Sequence, residues 1–185
     1  MQVDVFIKSP EQKILSLFVM NPERSFYGRE ISKKLGISLG AVHAALNSLE
    51  KHGILDPERV GKTKLYRSRE SDPILRTFRI FNTLLALEPL VEVMKDFSRQ
   101  VILFGSYATG NFTSSSDLDL FVVSEEKQKI LTRINAFERK CGLDIRPIIM
   151  DQIEWMKLET GSPEFFDELG RGITLWEKQV DESSL

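Results

Sequence analysis

Apolar positions recur along this chain with two different periods, and the change of period divides it. In the first part the spacing is helical. Residues 10–20 read as a helix with Ser9 as N-cap, Pro10 at its first position and Asn21-Pro22 as its stop. Residues 27–35 read as a second helix ended by Gly36. Residues 39–52 read as a third, capped by Ser38 and stopped by Gly53. In it Val42, Ala45, Leu46 and Leu49 repeat at i, i+3, i+4 and i+7, which makes a core stripe. Gly40, His43, Ala44 and Asn47 take the opposite side, small and polar enough to enter a groove. Residues 56–69 read as a β-hairpin with Gly61 at its tip. A helix then starts at Asp72-Pro73, with Ile74, Leu75, Phe78, Phe81, Leu84 and Leu85 as a broad apolar face. Glu88-Pro89 is expected to interrupt it before a further helix runs to about Ser98.

Beyond that point short apolar runs alternate with helical ones. Residues 101–104, 118–123, 143–149 and 172–176 read as strands. Residues 125–140 read as a helix carrying Ile130, Leu131, Ile134 and Phe137, and 151–158 and 163–169 as short helices. Residues 181–185 read as a frayed polar end. Strand, helix, strand in that order predicts a small mixed sheet with helices on one side. The chain is therefore expected to be α+β, with domains at 1–72 and 99–185 and a helical linker at 73–98. The linker's apolar face suits either a homodimer interface or ordinary packing.

Composition narrows the chemistry. The 185 residues are 42% hydrophobic and 28% charged, ordinary for a soluble protein. The single cysteine, Cys141, excludes an internal disulfide and a cysteine zinc site, and at a helix end it is expected to be a packed thiol. His43 and His52 both lie in the first third, which leaves little support for a histidine metal site or a Ser-His-Asp triad. The N-terminus has no basic region followed by an apolar core, and residues 14–20 are too short to cross a bilayer, so a cytoplasmic protein with no membrane partner is expected. The net charge of −2 is uneven: residues 1–76 hold 13 basic and 9 acidic side chains, residues 77–185 hold 12 and 18. A basic first part and an acidic second part suggest two tasks.

The acidic part contains the clearest chemistry. Gly105-Ser106 follows one apolar strand, and Asp117-Leu118-Asp119 opens the next. Side chains alternate along a strand, so Asp117 and Asp119 share a face. Two adjacent carboxylates repel and are costly to bury unless a cation sits between them. Magnesium takes such hard oxygen ligands together with substrate phosphates. Gly105 lets the backbone approach a phosphate, and Ser106 offers a hydroxyl and an N–H. Asp144, in the strand read at 143–149, is a candidate third carboxylate for a two-ion site, and as base or base-supporting ligand. Arg146 would share its face. No Gly-x-x-x-x-Gly-Lys phosphate loop is present.

The string Leu103-Phe104-Gly105-Ser106-Tyr107-Ala108-Thr109-Gly110, then Ser116-Asp117-Leu118-Asp119-Leu120, then Asp144, resembles the DNA polymerase β-like nucleotidyltransferase superfamily in its minimal branch. The resemblance covers about residues 95–180. It implies Mg²⁺-dependent transfer of a nucleoside monophosphate from a nucleoside triphosphate to a hydroxyl. Catalytic and metal-holding residues would be Asp117, Asp119 and Asp144, with Gly105 and Ser106 holding the nucleotide. Tyr107 stands where many relatives carry arginine.

Helix, turn, helix and a hairpin bearing Arg59, Lys62, Lys64, Arg67 and Arg69 form a winged helix-turn-helix pattern, and residues 10–70 resemble the winged-helix domains of small bacterial and archaeal repressors. That implies a third helix in the major groove of double-stranded DNA and a wing on the backbone. Ser38, His43 and Asn47 are the base-edge candidates, and Lys62 and Lys64 the phosphate contacts. The same fold also serves in protein docking. Two functions follow as expectations. One is an enzyme moving AMP or another nucleotide, with ATP as the expected donor; small members of this branch resemble antitoxins that modify a partner toxin protein. The other is a transcriptional regulator whose second domain senses nucleotide without turnover.

Overall fold

A computed structural model describes residues 3–69 and 72–179. The end expected over 181–185 lies outside the described residues. The chain divides into two compact units, Met1–Leu85 and Ala86–Leu185.

The first unit opens with a short helix, α1 (Val3–Phe6), and then α2 (Pro10–Val19). A reciprocal capping box starts α2: the Ser9 hydroxyl accepts from the Gln12 N–H, and the Gln12 side chain accepts from the Ser9 N–H. Strand β1 (Phe26–Tyr27) leads into α3 (Gly28–Leu35), which ends at Gly36 in the left-handed region. Helix α4 (Leu39–Lys51) follows, then β2 (Leu55–Val60) and β3 (Thr63–Ser68). The strands form an antiparallel sheet in the order β1-β3-β2. Tyr27, expected in a helix, instead pairs with Leu65 of β3. Two residues are too few to show a strand period in sequence, so β1 is not readable there. The α4 stripe is buried as expected, packed with Ile14, Phe18, Phe26, Ile31 and Leu55.

Helix α5 (Pro73–Met94) contains the unit boundary. It runs unbroken through Pro89, where an interruption was expected. A proline inside a helix costs about 3 kcal/mol. Here Leu87, Leu90, Val91 and Met94 are all buried around it, so burial of that face outweighs one lost hydrogen bond. A 3-10 turn at Lys95–Phe97 closes the segment.

The second unit is a four-stranded sheet in the order β6-β5-β4-β7. It is built from β4 (Gln100–Phe104), β5 (Leu118–Val123), β6 (Ile145–Met150) and β7 (Ile173–Glu177). β4 is antiparallel to both neighbours, and β5 and β6 run parallel through the crossover helix α7 (Lys127–Cys141). A short helix, α6 (Gly105–Thr109), joins β4 to the loop before β5. Helices α8 (Gln152–Gly161) and α9 (Pro163–Gly170) bring Leu158, Leu169, Trp155, Phe165 and Phe166 against Ile102, Phe104, Phe121 and Val123. The alternate strand positions, Val101, Leu103, Leu120 and Val122, are also fully buried. The sheet is thus covered on both faces rather than on one, which fits its nearly continuous apolar strands. Cys141 ends α7 as an exposed thiol, not a packed one, because Gly142 turns the chain immediately after it.

Candidate functional site

The end of the second unit's sheet sets Asp119 beside Arg146 and against the turn at Gly105. Phe104, the last residue of β4, pairs with Asp119 of β5, and Asp119 pairs with Arg146 of β6. These positions continue the face that deeper in the sheet carries Phe121, Val123, Ile148 and Met150 against α8 and α9. One face therefore passes from an apolar core to a charged rim within two residues.

Gly105 begins α6 with a positive φ of 68°. A Cβ there would fall inside contact distance of Asp119 Oδ2, so glycine is required twice, by backbone conformation and by space. Ser106 follows in the first turn of α6. Gly110, also left-handed, ends that helix, and the Asn111 N–H bonds the Ser106 carbonyl at 2.9 Å. The loop to β5 is held by its own hydroxyls: Ser116 Oγ accepts from the Thr113 N–H at 2.9 Å and lies 3.2 Å from the Thr113 hydroxyl. This loop delivers Asp117 to the mouth of the site.

Burial pushes the Asp119 carboxyl above the ordinary carboxylate value; Arg146 pulls it back, while Asp117 and Glu168 push it further. Glu168, on α9, is a site neighbour that could not be found from sequence, since nothing in residues 163–169 marks which way that helix packs. Tyr107 is buried, with its ring stacked on Phe112 at 4.1 Å between centroids. Burial raises its phenol, and the Asp117 charge raises it further.

Asp144 sits one residue before β6 rather than inside a strand, and its carbonyl accepts from the Leu118 N–H at 2.8 Å. By register it stands across from Asp117, and its side chain is exposed. Among the described residues no group of three or more His, Cys, Asp and Glu side chains is gathered closely enough to hold a metal ion. The three-carboxylate cluster expected for two ions is thus not assembled. The donor set still suits magnesium: a half-buried carboxylate destabilised by a second one, both hard oxygen ligands.

The first unit has its own polar groove, about 650 Å³, between α4 and the hairpin. His43, Asn47, Lys62 and Lys64 line it, joined by Tyr27, Arg29 and Tyr66, which sequence reasoning did not single out. His43 lies against Gly28, where an added Cβ would be 3.2 Å from its ring. Ser38 is not among the lining residues and uses its hydroxyl to cap α4 through the Ala41 N–H. Lys64 is held by Glu50 at 2.6 Å, and that bond raises its pKa. Arg69 pairs with Asp56 at 3.0 Å. Among the described residues no helix is long and apolar enough to cross a membrane.

Each unit contains a stretch that matches a family model. Residues 87–171 match the family model of the nucleotidyltransferase domain, and residues 28–56 that of the winged helix-turn-helix DNA-binding domain. A "putative protein adenylyltransferase" of Methanocaldococcus jannaschii is 38% identical over 63 residues, 31% of this chain. The chain spans 64% of that protein's length. Among solved structures, a cysteine-to-serine mutant of ZitR from Lactococcus lactis aligns at 18% identity and a TM-score of 0.39, over 74% of this chain and 76% of its own. A "putative nucleotidyltransferase" of Sulfolobus solfataricus aligns at 18% and 0.37, over 60% and 94%.

Proposed function

We propose that this chain, which joins a winged helix-turn-helix unit to a nucleotidyltransferase domain, transfers a nucleoside monophosphate from a nucleoside triphosphate to a hydroxyl acceptor and is recruited by DNA. The observation that carries the reading is the left-handed Gly105 turn lying under the Asp119 carboxylate, with Asp117 beside it. That arrangement puts a turn without a side chain next to paired oxygen ligands.

Asp117 and Asp119 would hold Mg²⁺. When bound, the ion supplies charge neutralisation for the phosphate chain and for the leaving pyrophosphate. Ser106 offers its hydroxyl and backbone N–H to phosphate oxygens. Asp144, exposed at the rim across from Asp117, takes the proton of the acceptor hydroxyl. The acceptor oxygen forms a bond to the α-phosphorus as the bond from that phosphorus to the bridging oxygen breaks, and pyrophosphate leaves. A side-chain hydroxyl of a partner protein is the favoured acceptor and ATP the favoured donor, as the name of the Methanocaldococcus relative, a protein adenylyltransferase, suggests.

The test is label transfer from α-labelled ATP, with Mg²⁺ and candidate acceptors. Wild type is expected to label one acceptor, and Asp117→Asn or Asp119→Asn to lose about 10²–10³-fold of the rate. Acceptor labelling that survives both substitutions would sink the reading. One observation favours a second reading, a regulator that senses nucleotide without turnover: a buried tyrosine stands at position 107 instead of a cation. Saturable ATP binding with no transfer to any acceptor would support it.

A further inference from the structure

The rim of the nucleotide site is crowded with negative charge. Asp117 and Glu168 both lie within electrostatic reach of Asp119, and a triphosphate adds more negative charge. The turn after β4 contributes no positive side chain: residues 105–111 hold no lysine or arginine, and Tyr107 is folded inward onto Phe112. A cation is available from the neighbouring strand. Arg146 stands in register beside Asp119, on the parallel strand β6. Ile148 and Met150, two and four residues on, turn into the core beneath α8 and α9. Alternation therefore puts Arg146 on the same face, at its solvent end, and it is exposed there. Among the described residues it closes no ion pair within 4.0 Å and makes no side-chain hydrogen bond, while Lys64, Arg69 and Lys127 elsewhere are all engaged. An arginine set beside carboxylates without binding them keeps its whole donor fork for a ligand, and that fork matches phosphate oxygens in pairs.

We propose that Arg146 grips the phosphate chain of the nucleoside triphosphate, supplying from β6 the positive charge that the turn after β4 does not. The assignment rests on the nucleotidyl-transfer reading and deepens it. Its rival is a purely local role, in which Arg146 only offsets the Asp119 charge.

The two roles differ in what they recognise. Equilibrium binding to the full chain is measured in Mg²⁺ buffer with the α,β-methylene analogues of ATP, GTP, CTP and UTP, and with the four matching monophosphates. Arg146→Ala is expected to weaken the preferred triphosphate analogue about 10–100-fold. Its monophosphate should change less than about threefold, since most of the contact is to the outer phosphates. Arg146→Lys should recover part of the loss, because a lysine keeps the charge without the fork. Arg146→Gln, which keeps the length and drops the charge, should behave as the alanine variant does. Unchanged triphosphate binding in the alanine and glutamine variants overturns the proposal. So does tighter binding of Mg²⁺ and triphosphate together, the result expected if Arg146 only competes for Asp119. If the wild-type chain binds none of the analogues, the nucleotidyl-transfer reading itself fails and this assignment with it.

Discussion

At the scale of single residues, Gly105 and Asp119 share one small volume. Gly105→Ala is expected to cost about 1–2 kcal/mol from backbone conformation alone, and more once the new Cβ displaces the Asp119 carboxylate. Chemical denaturation measures the loss, and label transfer should fall with it. Asp119 also makes stability depend on pH. Its folded carboxyl holds a proton more tightly than an unfolded one, because burial disfavours the charge. The stability linked to that proton is present at low pH and is lost as pH rises through the raised value. In metal-free buffer, Asp119→Asn should therefore melt at a higher temperature than wild type near neutrality. The gap should close on acidification, and a series of thermal melts across the carboxylate range reads it directly. The turn at Gly105 and the strand that carries Asp119 are legible in sequence, because turn chemistry and strand alternation are local rules. Glu168 is not, because helix α9 reaches the site only through the packing of Phe165 and Leu169.

Among the elements, the hairpin shows how contacts reorder a sequence expectation. Lys62 and Lys64 look equivalent in sequence as phosphate ligands. Lys62 lies at the β2-β3 turn and is exposed, whereas Lys64 is already bonded to Glu50. If the wing meets DNA, Lys62→Ala should lower the slope of log affinity against log salt by about 1. Lys64→Ala should lower it less, since that lysine must first leave its carboxylate. Binding measured at several salt concentrations separates the two. The turn between α9 and β7 is the other sensitive joint. A Cβ at Gly172 would lie 2.7 Å from both Ile102 Cγ2 and the Leu103 carbonyl oxygen. Gly172→Ala should push β7 off β4 and destabilise the second unit by about 1–3 kcal/mol, seen as a lower denaturant midpoint. Helices with marked caps, such as α2 and α4, match the sequence expectation nearly to the residue. Helix α5 departs from it at Pro89, because the local cost of proline is visible in sequence and the burial that offsets it is not.

Across the whole molecule, the uneven charge found in the sequence follows the two units closely. The unit with the groove lined by Arg29, Lys62 and Lys64 is the basic part, and the unit with Asp117 and Asp119 the acidic one. The presence of two units is legible for that reason, while the point of division is not: it falls between Leu85 and Ala86, within a helix of 22 residues. Linkers between units are ordinarily where proteases nick a chain and where fragments are cut. Here any cut at the boundary severs hydrogen-bonded helix on both sides. Fragments 1–85 and 86–185 should each lose part of that helix, visible as reduced helicity by circular dichroism. Overlapping fragments 1–94 and 73–179, which both keep Pro73–Met94, should retain it. Anyone wishing to graft either unit onto another protein must carry the whole of that helix as shared cargo.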